Sequence, residues 1–237
     1  VSFNDVNVPA AGTYRIMVRV KNASDTAAFR LSVDGVDQGE IQDTYRIPGL
    51  YEELDVGEKT FASSGNKTFK FTVTGKPAGA ANYKLILDRI LLMKVDQQLS
   101  EAESLTAAVS TGDSFAVVSD VSASGGQVRK LDGNAMNDYG ALTVNVPGAG
   151  LYRIVSRMKK GPARAIAKLQ IDGVSIDMPQ DYYSQTDQYA ESDHGIEYIS
   201  ISGNRSFKYV ITGKNGAASD YTVVIDYVKL LKYNLLP

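Results

Sequence analysis

The side chains best equipped for chemistry in this 237-residue chain are carboxylates and tyrosines. Glu52, Glu53 and Asp55, and later Glu191 and Asp193, stand close enough to suggest the acid and base of glycoside hydrolysis, which needs two carboxyls flanking one bond. Acids this close in a polar stretch are as a rule simply solvated. His194 is the only histidine, and Val56 holds its place in an earlier copy of the same stretch, so no Ser-His-Asp triad or histidine metal site can be assembled twice. It is expected as a solvated loop residue. Cysteine is absent, which removes thiolate nucleophiles, disulfides and cysteine metal sites. The glycine-rich Ser122–Gly126 follows no nucleotide-binding pattern and reads as a turn. The expectation is a non-catalytic chain.

The copy follows from V-N-V-P-A-A-G-T-Y-R-I at Val6–Ile16, which returns as V-N-V-P-G-A-G-L-Y-R-I at Val144–Ile154, an offset of 138. At that offset, without a gap, roughly three dozen of about 95 aligned positions are identical, a repeat of domain size. Gln42-Asp43 and Gln180-Asp181, Tyr45 and Tyr183, Tyr51 and Tyr189, Glu53 and Glu191, and Asp55 and Asp193 all recur. Loops tolerate change, so polar residues kept in both copies of an irregular stretch point to a role, either contact with a ligand or packing and turn capping.

The elements that must position these residues are strands. Val1–Val8 reads as one, closed by Pro9 and Gly12. Tyr14, Ile16, Val18 and Val20 alternate with Arg15, Met17, Arg19 and Lys21, the period of a strand with one buried face. Phe29, Leu31 and Val33 alternate again, and Asp34-Gly35 signals a tight turn. From Gln38 to Leu54 periodicity is lost and a long loop is expected. Phe69, Phe71 and Val73 mark the next strand, and Tyr83–Val95 is a nearly continuous apolar run suited to a sheet centre. The second copy repeats each step from Leu142 to Tyr233. Short strands with glycine-rich turns and no convincing helix predict an all-β chain of two tandem antiparallel β-sandwich (jelly-roll) modules: 1–95, a polar linker 96–100, and 101–237. Residues 101–138 have no counterpart in the first copy. They should hold a strand E-A-E-S-L-T-A, a strand Phe115–Val118 and the loop Ser122–Gly126. The first module thus lacks about the first 40 residues of its jelly roll: either the chain is a fragment of a longer polypeptide, or other domains or a separate chain supply the missing strands, and a partner should cover the edge this exposes. With 25 basic and 27 acidic residues, nothing marks a nucleic-acid or membrane partner, and no apolar run approaches a bilayer span.

E-A-E at Glu101–Glu103, S-G-G at Ser124–Gly126, D-Y-G-A-L-T-V-N-V-P-G-A-G-L-Y at Asp138–Tyr152 and the closing I-D-Y-V-K-L at Ile225–Leu230 together resemble carbohydrate-binding modules of families 6 and 35, which have a galactose-binding-like β-sandwich. The resemblance covers the second module, and the first from Val1 to Val95. It implies a non-catalytic module that attaches a secreted, extracellular bacterial polysaccharide-degrading enzyme to its polysaccharide. It also implies a structural calcium ion (Ca2+) held by Glu101, Glu103 and Asp226, hard oxygen ligands pinning distant strands together. Asp226 lies in an apolar run, where its charge needs an ion or a salt bridge. The family binds sugar through aromatic rings in loops at one end of the sandwich. This chain has no tryptophan, and its 14 tyrosines would serve instead: Tyr45, Tyr51, Tyr183 and Tyr189 stacking on a pyranose, with Asp43 and Asp181 accepting from hydroxyls. The alternative is a pair of structural or assembly β-sandwich modules of a larger extracellular enzyme or surface protein, without sugar binding of their own.

Overall fold

The computed structural model describes residues 1–235; residues 236 and 237, which close the expected second module, lie outside the described residues. Two compact units divide the described chain: Val1–Asp96 together with 233–235, and Gln97–Lys232. In chain order the strands are β1 Ser2–Val8, β2 Gly12–Asn22, β3 Ala28–Val33, β4 Val36–Asp43, β5 Leu50–Phe61, β6 Gly65–Gly75 and β7 Leu87–Glu101. They continue as β8 Ala107–Val109, β9 Ser114–Ser119, β10 Gln127–Gly133, β11 Tyr139–Val146, β12 Gly150–Lys160, β13 Ala165–Ile171, β14 Val174–Ser175, β15 Gln180–Asp181, β16 Gln188–Ile199, β17 Gly203–Lys214 and β18 Tyr221–Leu235.

The first unit packs a β1-β6-β3-β4 sheet against β5-β2-β7. The second packs β8-β11-β17-β13, with β14 and β15 beyond β13, against β16-β12-β18-β10-β9. The alternation seen in the sequence is the cause. Tyr14, Ile16, Val18 and Val20 of β2 point inward onto Phe29, Leu31 and Val33 of β3 and Phe69 and Phe71 of β6, all fully buried or nearly so. Each such side chain contributes about 1.5–3 kcal/mol relative to an exposed one. Tyr14 can be buried because its hydroxyl donates to Ala10 O at 3.0 Å, and Tyr152 does the same to Gly148 O at 2.5 Å.

Two repeated aspartates serve the backbone. Asp34 and Gly35 take positive φ, 51° and 81°, as do Asp172 and Gly173, the turn that matches the twist of a hairpin. Asp55 Oδ1 accepts from Gly57 N at 2.9 Å, and Asp193 Oδ1 from Gly195 N at 3.0 Å. Both glycines sit at positive φ where the register against β2 or β12 shifts, so each copy carries the same bulge.

The long loop expected over Gln38–Leu54 is instead mostly strand, because β4 ends at Asp43 and β5 starts at Leu50. Periodicity failed there because β4 and the start of β5 show both faces to solvent, leaving the ladders to β3 and β2 to define them. The expected linker 96–100 continues β7, and E-A-E-S-L-T-A forms a single 3₁₀ turn at Ala102–Ser104 before β8. β18 begins at Tyr221, whereas its copy β7 begins at Leu87, four residues later than the expected Tyr83. The residues Tyr221–Ile225 are those that β10 pairs with, and β10 has no counterpart in the first copy.

Candidate functional site

The structure splits the predicted tyrosine set in two. Asp43, Tyr45, Asp181 and Tyr183 lie at the loop end of their sandwiches, where the β4–β5 connection, or its copy, meets the turn after β2 or β12 through a Tyr45–Ala23 or Tyr183–Gly161 bridge. Asp43 Oδ1 accepts from Tyr45 N and Asp181 Oδ1 from Tyr183 N, both at 2.8 Å. The aspartates thus cap the turn that presents the ring. Asp181 also accepts from Asn215 at 2.8 Å. Tyr45 is half-buried against the β6–β7 connection, where a Cβ on Gly79 would come within 3.1 Å of its hydroxyl. That connection adds a pair the sequence reading missed: Lys76 over the ring of Tyr83, which is 60% exposed, and Lys214 over Tyr221. Both pairs recur at the 138 offset, the one signal that could have found them.

Tyr51 and Tyr189 stand elsewhere, on the outer face of the sheet. Arg19 stacks on Tyr51 and binds Asp88 at 2.9 Å; Arg157 stacks on Tyr189 at 4.3 Å and binds Asp226. The two clusters correspond residue for residue, but only the second is covered. There Asp120 accepts from Lys159 Nζ at 2.6 Å and from Tyr189 Oη at 2.8 Å, Ser124 N donates to Asp226 at 3.0 Å, and Ala123 packs on Tyr189. Tyr189 therefore acts in packing, while Tyr51 is open.

The Lys159 and Tyr189 bonds hold the Asp120 carboxyl down at about 2. In the unfolded chain it would protonate near its ordinary 3.8, so acid loads the unfolded state first and the stabilisation drains away as pH falls from about 4 to about 2. Acid denaturation followed by circular dichroism should show this loss, and Asp120→Asn should flatten that part of the curve.

The three residues of the metal set implied by the resemblance stand in different surroundings. Asp226 is fully buried, and Arg157 and Ser124 N already answer its charge. Glu101 and Glu103 differ. Glu101 Oε1 accepts from Ser124 Oγ at 2.9 Å, while the Oε2 atoms of both glutamates are buried with no hydrogen-bond partner. Burial, with the charges of Glu103 and Asp226 nearby, raises the Glu101 carboxyl above its usual range against the Ser124 bond. A Cβ at Gly125 would sit 2.2 Å from Glu103 Oε1, so the glycine of S-G-G is what leaves these oxygens room. Orphaned hard oxygens in such a cradle suit a calcium-type cation. Among the described residues, no group of three or more His, Cys, Asp and Glu side chains forms a complete cage.

The carboxylates that suggested hydrolysis are committed to strands. Asp55 binds Arg15 at 2.6 Å, Glu53 Arg89 at 2.5 Å, Asp193 Arg153 at 2.8 Å and Glu191 Lys229 at 2.5 Å, while Glu52 accepts from Asn22 at 2.5 Å and Arg46 at 3.1 Å. His194 is not the solvated loop residue expected. It lies on β16, 2% exposed, with Nδ1 2.5 Å from Asp177 Oδ2 and Nε2 3.0 Å from Ser156 Oγ. This has the order of a Ser-His-Asp relay, yet Ser156 is fully buried beneath Tyr209, whose hydroxyl is 2.5 Å from Oγ. No substrate reaches such a serine, and the chain of bonds is structural.

A cleft of about 350 Å³ opens at the opposite end of the second unit, lined among others by Val174, Ile176, Tyr198, Ile201 and the Arg205–Asp172 pair. The first copy has Val36, Gln38, Thr60 and Ser63 at the first four of these positions.

No protein-family model and no curated protein matches the chain. Solved structures do. A Paenibacillus xanthan lyase is similar at 21% identity and a TM-score of 0.43, the match covering 100% of this chain and 22% of the lyase. The chain therefore spans about a fifth of that enzyme's length. A family 35 carbohydrate binding module from Clostridium thermocellum is similar at 22% identity and 0.40, over 56% of this chain and 97% of the module. The N-terminal CBM22 tandem domain of a Paenibacillus barcinonensis protein is similar at 14% and 0.38, over 95% and 80%. The likeness is one of fold. Among the described residues no helix is long and apolar enough to cross a membrane.

Proposed function

We propose that the chain is a non-catalytic, carbohydrate-binding pair of modules that holds a secreted polysaccharide-degrading enzyme on its substrate. The observation that carries this reading is the loop end, where both modules present two tyrosines with a capping aspartate and a lysine at the same positions: Asp43, Tyr45, Lys76 and Tyr83, and Asp181, Tyr183, Lys214 and Tyr221. Rings supply a platform for the apolar face of a pyranose, and the charged groups around them can exchange hydrogen bonds with its hydroxyls. Two weak sites on a repeating polymer gain avidity, so the copies help each other. Calcium belongs to the proposal as a structural ion: Glu101 and Glu103 would hold it beside the Asp226–Arg157 pair. When bound it supplies positive charge to two half-buried carboxylates whose Oε2 atoms are buried without a partner, while Ser124 bonds Glu101 and Gly125 leaves room for Glu103.

Retention in gels cast with a panel of polysaccharides tests the reading. Tyr45→Ala with Tyr183→Ala should weaken retention on the preferred polymer about tenfold or more, each single change less, and Tyr198→Ala not at all. Full retention by the double variant, with native circular dichroism, would overturn the assignment to the loop end. In thermal unfolding followed by circular dichroism, calcium should raise the unfolding temperature of the wild-type chain and not of Glu101→Gln with Glu103→Gln.

A further inference from the structure

The two copies of the sheet-face cluster form an internal experiment. In the second module Arg157, Lys159, Tyr189 and Asp226 lie beneath the segment 114–133. In the first, the same residue types at Arg19, Lys21, Tyr51 and Asp88 face solvent: Tyr51 is 49% exposed, and the Arg19 and Asp88 side chains 39% and 40%. The apolar run beside them tells the same story. Val223, Val224 and Ile225 are buried, whereas their counterparts Leu85, Ile86 and Leu87 are only half-buried, and Tyr83–Ile86 forms no strand. The lysine, the tyrosine hydroxyl and the strand sequence stand in register in both copies, and in the second copy what they bind is visible. Lys159 and Tyr189 converge on Asp120, and Tyr221–Ile225 pair with β10.

We propose that the face made by Tyr51, Lys21 and Arg19, with the edge Tyr83–Leu87, is a docking site for an extended polypeptide segment chemically like residues 114–133: a strand, a tight loop carrying an aspartate, and a second strand that buries two apolar residues, as Val128 and Leu131 do. Charge selects this occupant. Lys21 and the Tyr51 hydroxyl can share an acid as Lys159 and Tyr189 share Asp120, and an open strand edge pairs with a backbone rather than with a small molecule. The inference stands independently of sugar binding.

The repeat register supplies the test, because Asp138 immediately precedes the residue equivalent to Val1. A chain with the sequence Glu101–Asp138 duplicated directly ahead of Val1 should show amide exchange at Tyr83–Leu87 slowed about 100-fold relative to the wild-type chain. The same graft carrying alanine at its copy of Asp120 should lose much of that protection. In the other arm, a synthetic peptide of residues 114–133 added to the wild-type chain should bind, and Lys21→Ala with Tyr51→Phe should weaken it about tenfold. A graft that leaves exchange at Tyr83–Leu87 unchanged, in a chain whose β2 amides remain protected, overturns the proposal. So does protection of Tyr51 and Tyr83–Leu87 in the ungrafted chain that appears only on dimerisation, which would make a second copy the occupant.

Discussion

Arg157→Ala is expected to destabilise the second module by about 3–5 kcal/mol, while Arg19→Ala, the same change in the other copy, costs less than about 1 kcal/mol. The pairs match in chemistry and differ in surroundings. Asp226 is sealed under Ser124 and Ala123, so removing the guanidinium strands a carboxylate that water cannot reach. Asp88 keeps its water, and losing Arg19 costs only a screened surface contact. Hydrogen exchange resolves the modules: protection should fall across β12 and β18 in the first variant and stay unchanged across β2 and β7 in the second. Replacing Arg157 and Asp226 together by Met and Leu should restore most of the loss, because the unpaired charge and not the missing attraction dominates it. Equal effects of the two alanine variants would show that burial does not govern these pairs.

His194→Val should cost about 2–4 kcal/mol, since it leaves the Asp177 carboxylate and the Ser156 hydroxyl buried without their shared partner. The first module shows what a consistent alternative looks like: Val18, Gly39, Val56 and Phe71 occupy the places of Ser156, Asp177, His194 and Tyr209. Asp177 also accepts from Leu169 N at 2.8 Å, so it interrupts β14 and β15 where β4 runs unbroken. The fourfold variant Ser156→Val, Asp177→Gly, His194→Val and Tyr209→Phe is therefore expected to come within about 1 kcal/mol of wild type, far from the sum of its parts. Urea unfolding of single and fourfold variants measures this. A fourfold variant no better than His194→Val would mean that the two cores are not interchangeable.

The contrast between these cases also marks what could be read from the sequence. The strands around Tyr14–Val20 and Phe69–Phe71 were legible because one face is buried and the period of two survives. The sandwich pairing followed from them. β4 and the start of β5 were not, because a strand wet on both faces has no period. Tyr83 was placed at a strand start on composition alone, whereas the partner β10 decides where that strand begins. Of the candidate site, Asp43 stands beside Tyr45, and Asp181 beside Tyr183, each pair at the loop end of its own sandwich. Tyr51 and Tyr189 do not stand there, since residues at the mouth of β5 and β16 point to the sheet face and not into the loops. His194 was misplaced for a different reason. A polar residue becomes a core residue only when distant partners, here Asp177, Ser156 and Tyr209, complete its bonds, and no local pattern records that.

The membership of the last described residues in the first unit has a consequence for biosynthesis. Tyr233 lies over Arg15 and donates to Glu58 at 2.9 Å, and Asn234 donates to Asp96 at 2.8 Å. A ribosome delivers residues 1–96 first, yet the piece that finishes this unit emerges only after the whole intervening sandwich has been made. The earlier half of the chain is thus the later to reach its final state, and a nascent chain stalled anywhere before Tyr233 carries a first sandwich still waiting for its clasp.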